Sequence, residues 1–130
     1  MKKFQITLNE KQLLLIANCI EDCSRFMAGE TDMANCTSNL KHFGDIRKEL
    51  RNITPYIVPE LVEKYGQFAY YPWNGGECPN MAQRKFIAES YYLYREMLHV
   101  YTVCRGINNV YSSPTLRCAD SGEPIEIKEL

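Results

Sequence analysis

Apolar and polar positions alternate at the start of the chain, where Gln5 and Thr7 separate Phe4, Ile6 and Leu8. A two-residue period puts successive side chains on opposite faces of a strand, so residues 4–8 are expected to form a half-buried strand running into a helix. Thr7 and Glu10 have the spacing of a capping box, in which a hydroxyl accepts from an orphan amide and a carboxylate reaches back. Leu13, Ile16, Ile20, Cys23 and Met27 then recur at steps of three and four, and Cys19 and Phe26 widen the stripe. This pattern predicts an amphipathic helix over residues 8–28, closed by Gly29 in the left-handed conformation that helix ends favour.

Residues 30–39 are rich in Thr, Asp, Asn and Ser, which compete with helical hydrogen bonds, and are expected as loop. Leu40, Phe43, Ile46, Leu50 and Ile53 return to helical spacing, although Gly44 weakens that helix by about 1 kcal/mol. Thr54-Pro55 is expected to close it, and Pro59 to open a short helix over residues 60–65 that Gly66 ends. Residues 67–79 are dense in Tyr, Pro and Gly, with a turn signal at Asn74-Gly75. Asn80, with Gln83 three positions on, should cap a last helix that runs to Gly106 and is about 37 Å long. That helix is apolar on two faces: Ile87, Tyr91, Tyr94, Leu98 and Tyr101 mark one, Phe86, Leu93, Met97, Val100 and Cys104 the other. A helix of this kind is expected to be central, packed on both sides or against another subunit.

After Gly106 the chain reads as short strands around Val110, Thr115 and Ile125, separated by turns. Ile125 and Ile127 alternate with Glu126 and Lys128, so this last segment could pair with the first. The expected fold is mainly α (α+β). Three to four helices surround a long central C-terminal helix, and the N- and C-terminal segments form a small antiparallel sheet. One domain covering residues 1–130 suffices, because a chain of this length buries roughly two thirds of its unfolded surface.

A formal net charge of -1 excludes a strongly basic nucleic-acid binder. No apolar run reaches the roughly 18 residues of a membrane span, and the start lacks the apolar core of a signal peptide, so a cytoplasmic protein without membrane contact is expected. The six cysteines then read as reduced thiols, and the triplets at Asn35 and Asn52 carry no sugar.

Cys19 and Cys23 could grip a metal from one helix face, with Cys78, His42 or His99 completing a site. There is no CxxC pair, however, and both thiols fall on or beside the apolar stripe, so core packing is expected and no metal or cofactor. A nucleophile elbow, a phosphate loop and a paired-histidine zinc motif are all absent. A small hydrolase or transferase would have to use His99 with Cys78, Cys104 or a tyrosine.

The stronger candidate combines the aromatic loop with one edge of the last helix: Tyr70, Tyr71, Trp73, Arg84, Lys85, Tyr92, Arg95 and His99. Lys85, Tyr92, Arg95 and His99 can share one helical flank. Arginine beside aromatic rings suits a partner protein or a small anionic, nucleotide-like ligand, and the helix N-terminus at Asn80 would favour an anion. Glu89 and Glu96 could instead make this flank an ordinary solvated face. The leading expectation is a non-enzymatic binding or regulatory protein, self-associating as a homo-oligomer through the two-sided helix and engaging a partner protein through Tyr71, Trp73, Arg84 and Arg95.

Overall fold

The computed structural model of the chain describes residues 3–32 and 47–107 and is mainly helical there. In chain order the helices are α1 (Glu10–Ala28), α2 (Arg47–Arg51), α3 (Thr54–Ile57), α4 (Pro59–Tyr65) and α5 (Met81–Arg105). Among the described residues there is no strand. The expected N-terminal strand does not form: Phe4 and Ile6 are 82% and 73% exposed, because the alternating segment meets neither a ladder partner nor an apolar surface there. Its expected partner at residues 124–128, the other expected C-terminal strands and the first half of the expected helix over residues 40–53 lie outside the described residues.

The cap of α1 sits two residues later than Thr7. Asn9 Oδ1 accepts from the Gln12 amide at 2.9 Å, and Asn9 N donates to Gln12 Oε1 at 3.0 Å. Asparagine caps at least as well as threonine, so the box moves to the pair that closes it from both sides. Gly29 ends α1 as expected, at φ 112°. A Cβ there would lie 3.0 Å from Val58 Cγ2 and 3.1 Å from the Ala69 carbonyl, so close approach as well as conformation calls for glycine.

Thr54-Pro55 opens a helix instead of closing one. Proline sits in the first turn of α3, where its missing N–H costs nothing, while the Thr54 hydroxyl donates back to the Arg51 carbonyl at 2.8 Å. Pro59 opens α4 and Gly66 ends it, both as the pattern predicts. α5 also keeps its predicted limits, with Asn80 Oδ1 accepting from the Gln83 amide and Gly106 at φ 67°.

α1 and α5 pack along their length in opposite directions. Arg105 pairs with Glu10 at 2.9 Å at one end, and the Ser24 hydroxyl reaches the Ile87 carbonyl at 3.4 Å near the other. Leu13, Ala17, Tyr94, Met97 and Leu98 form the core between them. A second core of Ala28, Val58, Tyr71, Cys78 and Ile87 joins the end of α1 to α3, α4 and the loop before α5. Burying Val58 or Ile87 contributes roughly 1.5–3 kcal/mol each.

Only part of the apolar stripe of α1 faces the cores: Leu13 is buried, and Ile20 and Met27 pack against them from the edge. Leu13, Ala17, Glu21, Asp22, Ser24 and Ala28 are buried, whereas Ile16 is 39% exposed and Cys19 and Cys23 lie open. Small side chains at 17, 24 and 28 let α1 sit close to α5, and the price of a buried Glu21 is met by its ion pair with Arg25 at 3.1 Å. The expectation that Cys19 and Cys23 pack in the core is therefore corrected.

Candidate functional site

The loop over residues 67–79 is pinned at both ends and in its middle. The Tyr71 amide donates to the Ala28 carbonyl at 2.7 Å, tying the loop to the end of α1. Asn74 Oδ1 accepts from the Gly76 amide at 2.9 Å, and the Gly75 amide donates to the Pro72 carbonyl at 2.9 Å, which closes the expected Asn-Gly turn. Gly75, at φ 79°, lies so close to α5 that a Cβ would meet Arg84 backbone and side-chain atoms at 2.8 Å.

This anchoring delivers Trp73 onto the side of α5. Its ring lies 5.5 Å from that of Tyr91, Tyr91 meets Tyr94 edge-on at 5.3 Å, and the Arg95 guanidinium lies 5.9 Å from the Tyr91 ring centre. Trp73 and Arg95 thus each approach the ring of Tyr91, a residue not among the site residues singled out from the sequence. Its position, four before Arg95 and three before Tyr94, was the available signal.

The other predicted residues divide by environment. Lys85 is exposed and its ammonium lies 3.7 Å from Glu89, as an ordinary surface pair does. Tyr92 is buried, so the flank it shares with Arg95 and His99 is not an open surface. Arg84, Tyr92, Arg95 and His99 each already engage a partner within the chain. Tyr71 is buried at 5% exposure in the second core, while Tyr70 next to it is 56% exposed. Burial, then the Cys78 thiol and Glu60, push the Tyr71 hydroxyl up to about 12. On the neighbouring part of α1, burial opposes the charge of Arg25, but Glu21 and Glu30 outweigh it and hold its pKa above the ordinary value.

Beside the loop lies a groove of about 600 Å³ that sequence reasoning did not find. Glu60, Lys64 and Tyr65 of α4 face Tyr70, Tyr71 and Glu77 of the loop across it. The residues come from segments separated by a turn at Gly66, and no short motif announces them. The Lys64 ammonium lies 5.2 Å from the Tyr65 ring centre. A smaller cavity of about 110 Å³ lies where Arg51 pairs with Asp32 at 2.7 Å and stacks on Phe68 at 4.6 Å.

Among the described residues no three or more His, Cys, Asp or Glu side chains gather as metal ligands, and no helix is long and apolar enough to cross a membrane. No family model, no curated protein and no solved structure matches the chain.

Proposed function

We propose that the chain is a small cytoplasmic, non-enzymatic binding protein that works as a self-associated helical unit and engages a partner protein through its aromatic loop. The carrying observation is the outward stripe of α1. Ile16, Cys19 and Cys23 are exposed there, on the side richest in large apolar residues. On α5 the apolar face of Phe86, Leu93, Met97, Val100 and Cys104 is open at Phe86, 42% exposed, and at Cys104, while Met97 is buried and Leu93 and Val100 pack along the edge of the α1–α5 core.

Helical geometry supports putting the two stripes together. Both helices advance about 100° per residue and run in opposite senses, so these residues fall on the same side of the pair. The flank bearing Tyr92, Arg95 and His99 falls on the other side. An apolar surface shared by two long helices is what a second copy would cover by a two-fold contact, giving a helical bundle. Light scattering on the purified chain should then give a mass above one protomer, and Phe86→Asp should return it to one with helicity unchanged. A strict monomer at high micromolar concentration overturns the proposal.

Capture of an anionic ligand by Arg84, Lys85, Arg95 and His99 draws less support, since three of the four are engaged within the chain and Lys85 pairs with Glu89. A hydrolase using His99 gains none from Cys78, whose thiol is buried and donates to the Asn80 carbonyl at 3.6 Å.

A further inference from the structure

We infer that the groove between α4 and the loop over residues 67–79 binds an extended, proline-containing peptide with basic side chains. The inference rests on the partner-binding half of the function proposed above and is independent of self-association. Its walls are aromatic: Tyr65 and Tyr70 stand exposed on either side, and Pro72 and the buried ring of Tyr71 line the groove between them. Flat rings set along a groove are the surface on which polyproline-type segments dock, because such a segment is already extended and loses little entropy on binding. A volume of about 600 Å³ admits a few residues of such a segment.

Charge selects the peptide. Glu60 and Glu77 line the groove against a single cation, Lys64, so the lining carries a net negative charge and favours a basic occupant. Lys64 itself marks a position for one. Its ammonium lies over the Tyr65 ring, so this ring already presents its face to a cation, and an arginine from a partner could stack there in its place. The rims are exposed and are joined by no hydrogen bond to each other among the described residues, so a peptide can enter without unfolding either element.

Fluorescence anisotropy with the full chain and three labelled ten-residue peptides tests the chemistry: alternating Pro and Arg, alternating Pro and Glu, and Gly/Ser with the same number of Arg. The Pro/Arg peptide should bind at least roughly tenfold more tightly than either other, and weaken as salt is raised. Tyr70→Ala, Tyr65→Ala and Glu77→Lys, all at exposed positions, should each weaken it several-fold while the circular dichroism spectrum stays unchanged. Equal binding of the Gly/Ser/Arg peptide, tighter binding of the Pro/Glu peptide, or indifference to Tyr70→Ala overturns the peptide chemistry and leaves the loop a binding surface of another kind. No binding of any of the three overturns the groove as a peptide site and leaves self-association untouched. Light scattering on the same samples reports self-association separately.

Discussion

Gln83 holds the start of α5 to the end of α1: its side-chain amide donates to the Met27 carbonyl at 2.9 Å, and also to the Ile57 carbonyl at 2.8 Å. One side chain thereby satisfies carbonyls at the ends of two helices while its own backbone amide is capped by Asn80. From the sequence Gln83 is expected to reach back to Asn80 as the second half of a capping box. It reaches across the fold instead: in a box its Oε1 would accept from the Asn80 amide, whereas here its Nε2 donates to two orphan carbonyls at helix ends, which places the side chain away from Asn80.

Replacing Gln83 with Leu should cost about 1–3 kcal/mol, since both carbonyls lose their donor in a part-buried place. Gln83→Glu should cost more, because it sets a carboxylate against two carbonyl oxygens. Urea denaturation followed by circular dichroism checks both: the midpoint should fall with the slope unchanged. A midpoint within error of the parent for both variants contradicts the clamp.

Gly75 and Gly66 separate crowding from backbone strain. Both have positive φ, 79° and 96°, but a Cβ at 75 meets Arg84 at 2.8 Å and one at 66 meets nothing within 4 Å. Gly66→Ala should cost about 1–3 kcal/mol for conformation alone, and Gly75→Ala should add the cost of crowding against Arg84 to its own strain. Trp73 is the sole tryptophan, so its emission should shift in Gly75→Ala and not in Gly66→Ala. Equal losses would mean the loop can retreat from α5 freely.

Tyr71 makes stability fall at alkaline pH. Its pKa rises from 10.0 to about 12 in the fold, so between those values the folded state holds a proton that the unfolded state has lost. The contribution is complete below pH 10 and is lost as pH climbs toward 12, by at most about 1.4 kcal/mol per pH unit. Absorbance at the tyrosinate band should show one late-titrating ring that Tyr71→Phe removes. The same variant should flatten the decline in melting temperature across that window.

Thiol chemistry reports the open side of α1. Cys78 is buried and Cys19 exposed, so in variants keeping one cysteine at a time Cys19 should react with a disulfide reagent far faster than Cys78. If a second copy covers the stripe, Cys19 should slow as protein concentration rises and recover in Phe86→Asp. Rates at Cys19 that ignore concentration would argue against a covered stripe.

The legible parts of the fold are those where backbone chemistry alone decides. Asn80 and Gly106 bound α5 correctly, and Pro59 and Gly66 bound α4, because a cap, a ring-locked φ and a missing Cβ act locally. Hydrophobicity misled where the decision was tertiary. Ile16 and Cys23 mark a stripe on α1, but helix–helix approach favoured the small Ala17, Ser24 and Ala28, and Arg25 made a buried Glu21 tolerable. Phe4 and Ile6 alternate as a strand does, yet alternation cannot supply a partner. In the candidate site the approach of Arg95 to Tyr91 follows from their four-residue helix spacing, whereas the approach of Trp73 to the same ring depends on how the loop is anchored. The burial of Tyr92 and the facing of Glu60 with Glu77 depend on how distant segments converge, which no local pattern encodes.

The pairing of Glu10 with Arg105 joins residues 95 positions apart, and between them run the contacts of α1 with α5. During synthesis α1 precedes all its partners: its end at Ala28 can meet Val58 and Tyr71 first, but Leu13 and Ala17 have nothing to lie against until α5 is made. Its inner face, with an unsheltered Glu21 and the small residues that await α5, cannot hold a helix of that length against water by itself. Docking of α5 on α1 is consequently a late event that closes the long loop, set by topology more than by local helix strength. A chain stopped short of Thr102 would lose the exposed pair of Arg105 with Glu10 but keep Tyr94, Met97 and Leu98, whereas one stopped short of Tyr94 would leave Leu13 and Ala17 without the surface that covers them.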